Sequence, residues 1–149
     1  MIFRMSQTIN RPVPDVFQTV IHVEDFPKWS PQNKRAKRLD NGPIGEGSRF
    51  LTHVKGFGMV PQVLREFEAN RRVRVVPEFR MLSGGHRFIF TDLGSKTRVD
   101  HEMEMVPKGI FKLMTPIIGA IGRRNVRKVA KALQAYVEQP EAEMRTGSG

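Results

Sequence analysis

The sequence contains no cysteine, one tryptophan, one tyrosine and no long apolar run. Without cysteine the chain cannot form a disulfide framework, a thiolate metal site or a cysteine nucleophile. No apolar stretch approaches the roughly 18 residues of a membrane span. Arg4, Gln7, Asn10 and Arg11 interrupt the N-terminal segment where a secretory signal would be apolar. We therefore expect a cytoplasmic protein.

The length and composition indicate one folded domain. A chain of 149 residues can bury a core, or a core that encloses a cavity. Its hydrophobic fraction of 39% is too high for a disordered protein. We expect one domain over residues 1–139 and a loose tail over 140–149. The net charge of +10 makes nucleic acid, anionic lipid and acidic small molecules candidate partners.

The first forty residues predict a strand, a helix and an edge strand. Apolar and polar residues alternate from Phe3 to Ile9, which favours a half-buried strand. The apolar spacing in Val13 to Ile21 predicts a short amphipathic helix. Two prolines flank Trp29 in "EDFPKWSPQN", which indicates a turn or a single helical turn. The basic segment Lys34 to Leu39 is interpreted as a polar strand near a sheet edge, where lysine discourages edge-to-edge pairing.

From Gly45 to Pro107 the pattern predicts successive antiparallel strands. The segments "KGFG", "SGG" and "LGSK" are expected to form the turns. One parity of these strands is expected to face inward, and it contains Phe50, His86, Phe88, Phe90, Val99, His101 and Met103. The opposite parity contains Asp100, Glu102 and Glu104, which we expect to pair with basic residues such as Arg87 rather than to bind a metal.

The stretch from Thr115 to Gln139 predicts a long amphipathic helix with Thr115 as its N-cap. Its apolar arc contains Ile118, Ile121, Val126, Val129, Leu133, Tyr136 and Val137. The opposite face contains Arg123, Arg124, Arg127, Lys128 and Lys131. This basic face is expected to meet solvent, with a weak contact to anionic membrane as the alternative. Nucleic acid is disfavoured because the face lacks the aromatic residues of a single-strand binder.

Two positions do not suit a plain core helix. Gly122 lies near the centre of the apolar arc, where glycine is unfavourable relative to alanine, and Asn125 lies toward the edge of the arc. The glycine either packs closely on a sheet residue such as Phe88 or Phe90, or leaves a void beneath the helix that a small molecule could fill. The spacing does not choose between these alternatives.

The connection from Pro107 to Gly119 is unusually apolar and contains Ile110, Phe111, Leu113, Met114, Ile117 and Ile118. These residues either pack on the first helix as ordinary core or form a mobile lid over a cavity, because Pro116 removes a backbone donor at the junction.

Several segments together resemble the polyketide cyclase/dehydrase and lipid-transport family of the START-like superfamily. They are "RPVPDVFQTVIHVEDFPKWSP", "GPIGEGSRF", "GSKTRVDHEMEMVPKG" and the long terminal helix. The resemblance runs from about Ile2 to Val137. It implies an α+β helix-grip fold, with two short helices after the first strand and a curved antiparallel sheet wrapped around the terminal helix, leaving a largely apolar cavity. It brings no catalytic motif, and fold alone does not define function.

We expect the cavity to bind or transport a hydrophobic or amphipathic small molecule of lipid, polyketide or isoprenoid type. The candidate ligand-binding residues are Phe50, His86, Phe88, Phe90, Val99, His101, Met103, Phe111, Met114, Ile118, Gly122 and Asn125. The alternative is a cyclase or dehydratase in which His86 or His101 moves a proton. A third hypothesis is a peripheral module whose basic face binds membrane or nucleic acid. No metal or cofactor motif is present in the sequence, which also gives no indication of oligomeric state.

Overall fold

The computed structural model describes residues 1–139, so the predicted tail over 140–149 lies outside the described residues. The strands are β1 Ile2–Ile9, β2 Asn33–Arg38, β3 Arg49–Val54, β4 Gly58–Glu68, β5 Arg72–Pro77, β6 Leu82–Asp92 and β7 Thr97–Pro107. The helices are α1 Val13–Ile21 and α2 Thr115–Val137, with 3₁₀ helices at Val23–Lys28 and Gly109–Met114.

All seven strands form one antiparallel sheet in the order β1-β7-β6-β5-β4-β3-β2. The basic strand β2 lies at an edge of this sheet, as predicted. Helix α2 packs on β1 and β7, whereas α1 packs on β6 and the first 3₁₀ helix packs on β2. A long C-terminal helix held by an antiparallel sheet, with two short helices after the first strand, confirms the predicted α+β helix-grip arrangement.

The main core lies between the sheet, α1 and the C-terminal half of α2. The apolar face predicted for α1 is fully buried there. The inward parity of the strands is confirmed as well, because Phe50, Phe88, Phe90, Val99 and Met103 are all buried. Burial of each such side chain contributes about 1.5–3 kcal/mol, so this alternation determines which face of the sheet meets the helices.

The turn expected at "SGG" is wrong, because Ser83, Gly84 and Gly85 lie inside strand β6. Gly85 has φ +140°, and a Cβ on it would lie 2.4 Å from the carbonyl oxygen of Val75 on β5. Glycine is needed here because the backbones of neighbouring strands come too close for a side chain. A second, smaller correction concerns Thr115, which is the first residue of α2 rather than its cap.

The outer face of the sheet carries the ion pairs predicted for its acidic residues. The Arg87 guanidinium lies 2.8 Å from a Glu66 carboxylate oxygen and 3.1 Å from one of Glu102, and Arg4 also pairs with Glu102. The hydrogen bond from Arg87 lowers the pKa of Glu66. Hydrogen bonds from Arg4 and Arg87 lower the pKa of Glu102. These carboxylates therefore stabilise the sheet from its solvent side.

Candidate ligand-binding cavity

A cavity of about 160 Å³ lies between the concave face of the sheet, the first 3₁₀ helix and α2. Its walls are mostly apolar, and their central part consists of Val60, Val75, Phe88, Met103 and Val129. Phe26 and Trp29, whose rings make an edge-to-face contact at 5.1 Å, lie at the end formed by the 3₁₀ helix. The volume is close to that of an apolar cavity of about 150 Å³ that holds one benzene ring.

The structure brings some of the sequence-predicted site residues to this cavity and places the others elsewhere. Those that line it are His86, Phe88, Met103 and Asn125. Phe50, Phe90 and Val99 lie in the adjoining core, and His101 lies behind the wall, stacked on Phe88. Phe111, Met114 and Ile118 lie at or near the start of α2 and do not line the cavity. Ligand contact at each of these positions stays a prediction.

The space beneath Gly122 is filled by the ring of Phe3 from β1. A Cβ on Gly122 would lie 2.4 Å from the nearest ring carbon of Phe3, so the glycine permits close packing between α2 and the sheet. The alternative of a void at this position is therefore wrong. The expectation of close packing on a sheet residue is right, although that residue is Phe3 rather than Phe88 or Phe90.

Five polar side chains in the cavity wall pair with each other or with a neighbouring residue. Gln32 donates to the Asn125 side chain at 3.2 Å, and Gln62 donates to Thr52 at 3.2 Å. Asn33 donates through its Nδ2 to the hydroxyl of Ser30 at 2.8 Å. These bonds hold the amide groups at fixed positions along an otherwise apolar wall.

Two buried polar atoms of the wall have no hydrogen-bond partner among residues 1–139. They are Nε1 of Trp29, which is a donor, and Oδ1 of Asn33, which is an acceptor. A buried polar group without a partner costs about 1–3 kcal/mol. The first atom lacks an acceptor and the second lacks a donor, and a hydroxyl group is a group that can serve in either role.

The half-buried His86 and the buried His101 form a pair at one wall of the cavity. Nδ1 of His86 lies 2.9 Å from Nε2 of His101, so one neutral ring donates to the other. Burial lowers the pKa of His86 to about 4. Burial, and secondarily the neighbouring His86, lowers the pKa of His101 well below its ordinary value. Both rings are therefore neutral at pH 7, and only His86 faces the cavity.

The β3–β4 turn and the loop after β5 contribute two aromatic residues, Phe57 and Phe79, to the cavity wall. Phe57 lines the cavity although 49% of its surface is exposed, so it lies where the cavity meets solvent. Its ring makes an edge-to-face contact with Phe79 at 5.3 Å, and Phe79 also lines the cavity. This aromatic pair narrows the opening.

The apolar connection between β7 and α2 does not contribute to the cavity wall. None of the residues in Gly109–Met114 is buried, so the expectation that this segment forms ordinary core against α1 is wrong. None of the residues from 107 to 119 lines the cavity. Ile121, assigned to the apolar arc of α2 from its spacing, is also exposed.

Apart from His86 and Asn125, sequence reasoning missed the polar residues of the wall, and it also missed the aromatic pair Phe57 and Phe79. A signal for Gln62 was available, because it shares strand parity with the buried Val60 and Leu64. Trp29 was noted only for the turn that its flanking prolines indicate, and its unpaired indole N–H depends on tertiary contacts. Phe57 and Phe79 lie in separate connections whose meeting has no local sequence signal.

Among residues 1–139 no three His, Cys, Asp or Glu side chains lie close enough together to hold a metal ion. Neither helix of this part of the chain is sufficiently long and apolar to cross a membrane.

A helix-grip fold with an apolar cavity between sheet and terminal helix defines a START-like protein. The chain belongs to the polyketide cyclase/dehydrase and lipid transport family, whose model matches residues 1–138. This family fold binds hydrophobic small molecules. No curated protein matches the chain in sequence.

Solved structures with low sequence identity share the fold. A START superfamily protein from Mycobacterium smegmatis is 16% identical, with TM-score 0.75 over 93% of this chain and 97% of the other. A protein from Thermus thermophilus is 17% identical, with TM-score 0.73 over 92% and 97%. The Zhui aromatase/cyclase from Streptomyces sp. R1128 is 12% identical, with TM-score 0.71 over 93% of both chains.

Proposed function

We propose that the protein binds and carries an amphipathic small molecule whose apolar body fills the cavity and whose hydroxyl group meets Trp29 and Asn33. The observation that supports this most strongly is the presence of two buried, unpartnered polar atoms in residues of a mostly apolar wall. A hydroxyl group satisfies both atoms because it donates and accepts at once. An alkane or a plain aromatic ring satisfies neither.

The cavity volume restricts the size of the ligand. About 160 Å³ accommodates one substituted ring, whereas pockets for larger ligands measure about 300–1,000 Å³. A lipid chain, a fused-ring polyketide or an isoprenoid therefore requires the Phe57–Phe79 pair to separate. We expect a phenol-like molecule to bind without this change and a longer ligand to bind with it.

The experiment has two parts. Native mass spectrometry of the purified protein, followed by solvent extraction, identifies any retained hydrophobic compound. Calorimetry then compares p-cresol with p-xylene, which differ by one hydroxyl in place of a methyl group. The proposal requires binding below millimolar concentrations and a preference for p-cresol. Equal affinity for both compounds, or no binding of either, contradicts it.

A second candidate function is a cyclase or dehydratase, since His86 lies in the cavity wall and pairs with His101. A general base works best when its pKa lies near the working pH. The pKa of His86, about 4, makes it a poor base at pH 7, so binding is favoured over catalysis. Turnover of a polyketide-like substrate that is lost in His86→Gln with His101→Gln, while p-cresol still binds, would instead establish the enzyme.

A further inference from the structure

A group of exposed apolar side chains lies at the junction of the second 3₁₀ helix and α2. Leu113 is 83% exposed and Ile110 is 75% exposed. We call this group the apolar tip, and its members are Ile110, Leu113, Met114, Ile117 and Ile121. So many large apolar side chains on adjacent turns exceed the scattered exposure that is normal for a soluble surface.

The apolar tip continues directly into the basic face of α2. Ile117, Ile121, Arg124 and Lys128 follow each other at spacings of four, three and four residues, which places them on one stripe of the helix. We call the following group the basic face: Arg123, Arg124, Arg127, Lys128 and Lys131, all exposed. It forms one continuous surface with Ala120.

The charges of the basic face are not neutralised by the described part of the protein. No residue of the basic face takes part in an ion pair within residues 1–139. Helix α2 itself contains no acidic residue over Thr115–Val137. Lys108 and Lys112 add two further exposed cations beside the apolar tip.

We propose that this surface docks on an anionic lipid bilayer, with the apolar tip inserted among the acyl chains and the basic face on the headgroup phosphates. An interfacial element binds in this way when apolar area and cationic charge lie on one accessible surface. The distance along α2 from Ile117 to Lys131 is about 21 Å, at about 1.5 Å per residue. The stripe is therefore long enough for several headgroups.

Charge and shape argue against two other occupants. A second copy of this chain would bring five cations against five others around the same apolar tip, which is repulsive. A nucleic acid could satisfy the basic face, but it would leave Leu113 and Ile110 in water. Only a surface that is both anionic and apolar beneath its headgroups satisfies the two groups together.

The test is flotation of the full chain with vesicles of phosphatidylcholine alone or of phosphatidylcholine with phosphatidylserine. The tip variant is Ile110→Ser with Leu113→Ser, and the basic-face variant is Arg124→Glu with Lys128→Glu. The matched controls are Met59→Ser, at an exposed apolar position of β4, and Lys34→Glu with Lys37→Glu on the opposite sheet edge. The p-cresol affinity of every variant is measured in parallel, which separates this proposal from the function of the cavity.

We expect the wild type to bind only the anionic vesicles and to be released by salt. The basic-face variant should bind these vesicles about tenfold more weakly or worse, since each basic residue near an anionic surface contributes several-fold. The tip variant should lose about as much, since it removes two large apolar side chains from the inserted area. The controls should bind as the wild type does. Failure of the wild type to bind, or full binding by the tip variant, overturns the proposal. Full binding of DNA by the tip variant, with no vesicle binding by the wild type, would assign the basic face to nucleic acid instead.

Discussion

Nδ1 of His86 and Nε2 of His101 lie 2.9 Å apart on the inner face of the sheet, and the centroids of the two rings are 5.1 Å apart. The two histidines come together because of the register between β6 and β7. His101 on β7 lies opposite Phe88 on β6, and Phe88 follows His86 by two residues, so all three side chains lie on the same face of the sheet. Phe88 stacks on His101 at 4.3 Å, so an apolar ring covers one face of that imidazole. Such an apolar environment favours the uncharged form of both rings.

The histidine pair predicts a loss of stability in mild acid. Histidines in the unfolded chain titrate near pH 6.5, whereas native His86 stays neutral down to about pH 4. Between these values the unfolded state binds more protons, so the free energy of unfolding decreases as the pH falls, by up to about 1.4 kcal/mol per pH unit for each histidine. Urea unfolding across this window measures the slope.

The double variant His86→Gln with His101→Gln should lose most of this slope. His53→Gln is the matched control, because it lies outside the pair, and it should keep the slope. The carboxylates whose pKa is lowered are Asp40, Glu66 and Glu102. They contribute mainly as the pH falls below about 4.5, the ordinary value for glutamate, since the ordinary value for aspartate is lower still. A wild-type stability that is flat between pH 6.5 and 4.5 would show that the folded protein does not keep the two rings neutral.

Trp29→Phe should remove the preference of the cavity for a hydroxyl group. Phenylalanine keeps an aromatic ring beside Phe26 but has no indole N–H. A neutral hydrogen bond contributes about 0.5–1.5 kcal/mol, so the affinity for p-cresol should fall about two- to tenfold. The affinity for p-xylene, measured by the same calorimetry, is the internal control and should change little. An equal loss for both compounds would mean that Trp29 acts only through packing.

Gly122→Ala should destabilise the protein although alanine favours helix formation. The added methyl group meets the Phe3 ring at 2.4 Å, and overpacking of this kind costs about 1–3 kcal/mol. Gly119→Ala on the same helix is the matched control. Its Cβ has only ordinary contacts, the nearest at 3.5 Å, so it should stabilise the protein by up to about 1 kcal/mol. Thermal unfolding of both variants checks the contrast, and Phe3→Leu should partly rescue Gly122→Ala.

Phe57→Ala should accelerate ligand release, because the ring lies where the cavity meets solvent and packs on Phe79. Stopped-flow measurement of the dissociation rate should show an increase with little change in melting temperature. Met114→Ala is the control, since Met114 does not line the cavity. A faster release in Met114→Ala alone would instead support a lid between Pro107 and Gly119.

The local hydrophobic pattern of the sequence predicted most of the fold. Apolar residues that alternate along a strand, or recur at helical spacing, indicate which face of that element is buried. The inward residues of β3, β6 and β7 and the buried face of α1 follow from it directly. Gly84 and Gly85 were misinterpreted as a turn, since only the close approach of neighbouring strands shows why glycine is needed inside β6. The contact of Phe3 with Gly122 joins residues at opposite ends of the chain, and no local pattern carries it.

The candidate site was less accessible to prediction than the fold. Strand parity identified His86, Phe88 and Met103, and the edge of the helical arc identified Asn125. The same parity also selected Phe50, Phe90 and Val99, which lie deeper in the core. Alternation shows which side of a sheet is buried, but it does not show where along that side the packing leaves space.

The central claim is that a hydroxyl-bearing ligand occupies the cavity and bonds to the indole N–H of Trp29. Because the chain has one tryptophan, the ¹H–¹⁵N spectrum contains one indole resonance, which reports on this atom directly. Titration with p-cresol should shift that resonance downfield until it saturates, whereas p-xylene should leave it without a downfield shift. An indole resonance that does not move with p-cresol at millimolar concentrations would contradict the claim.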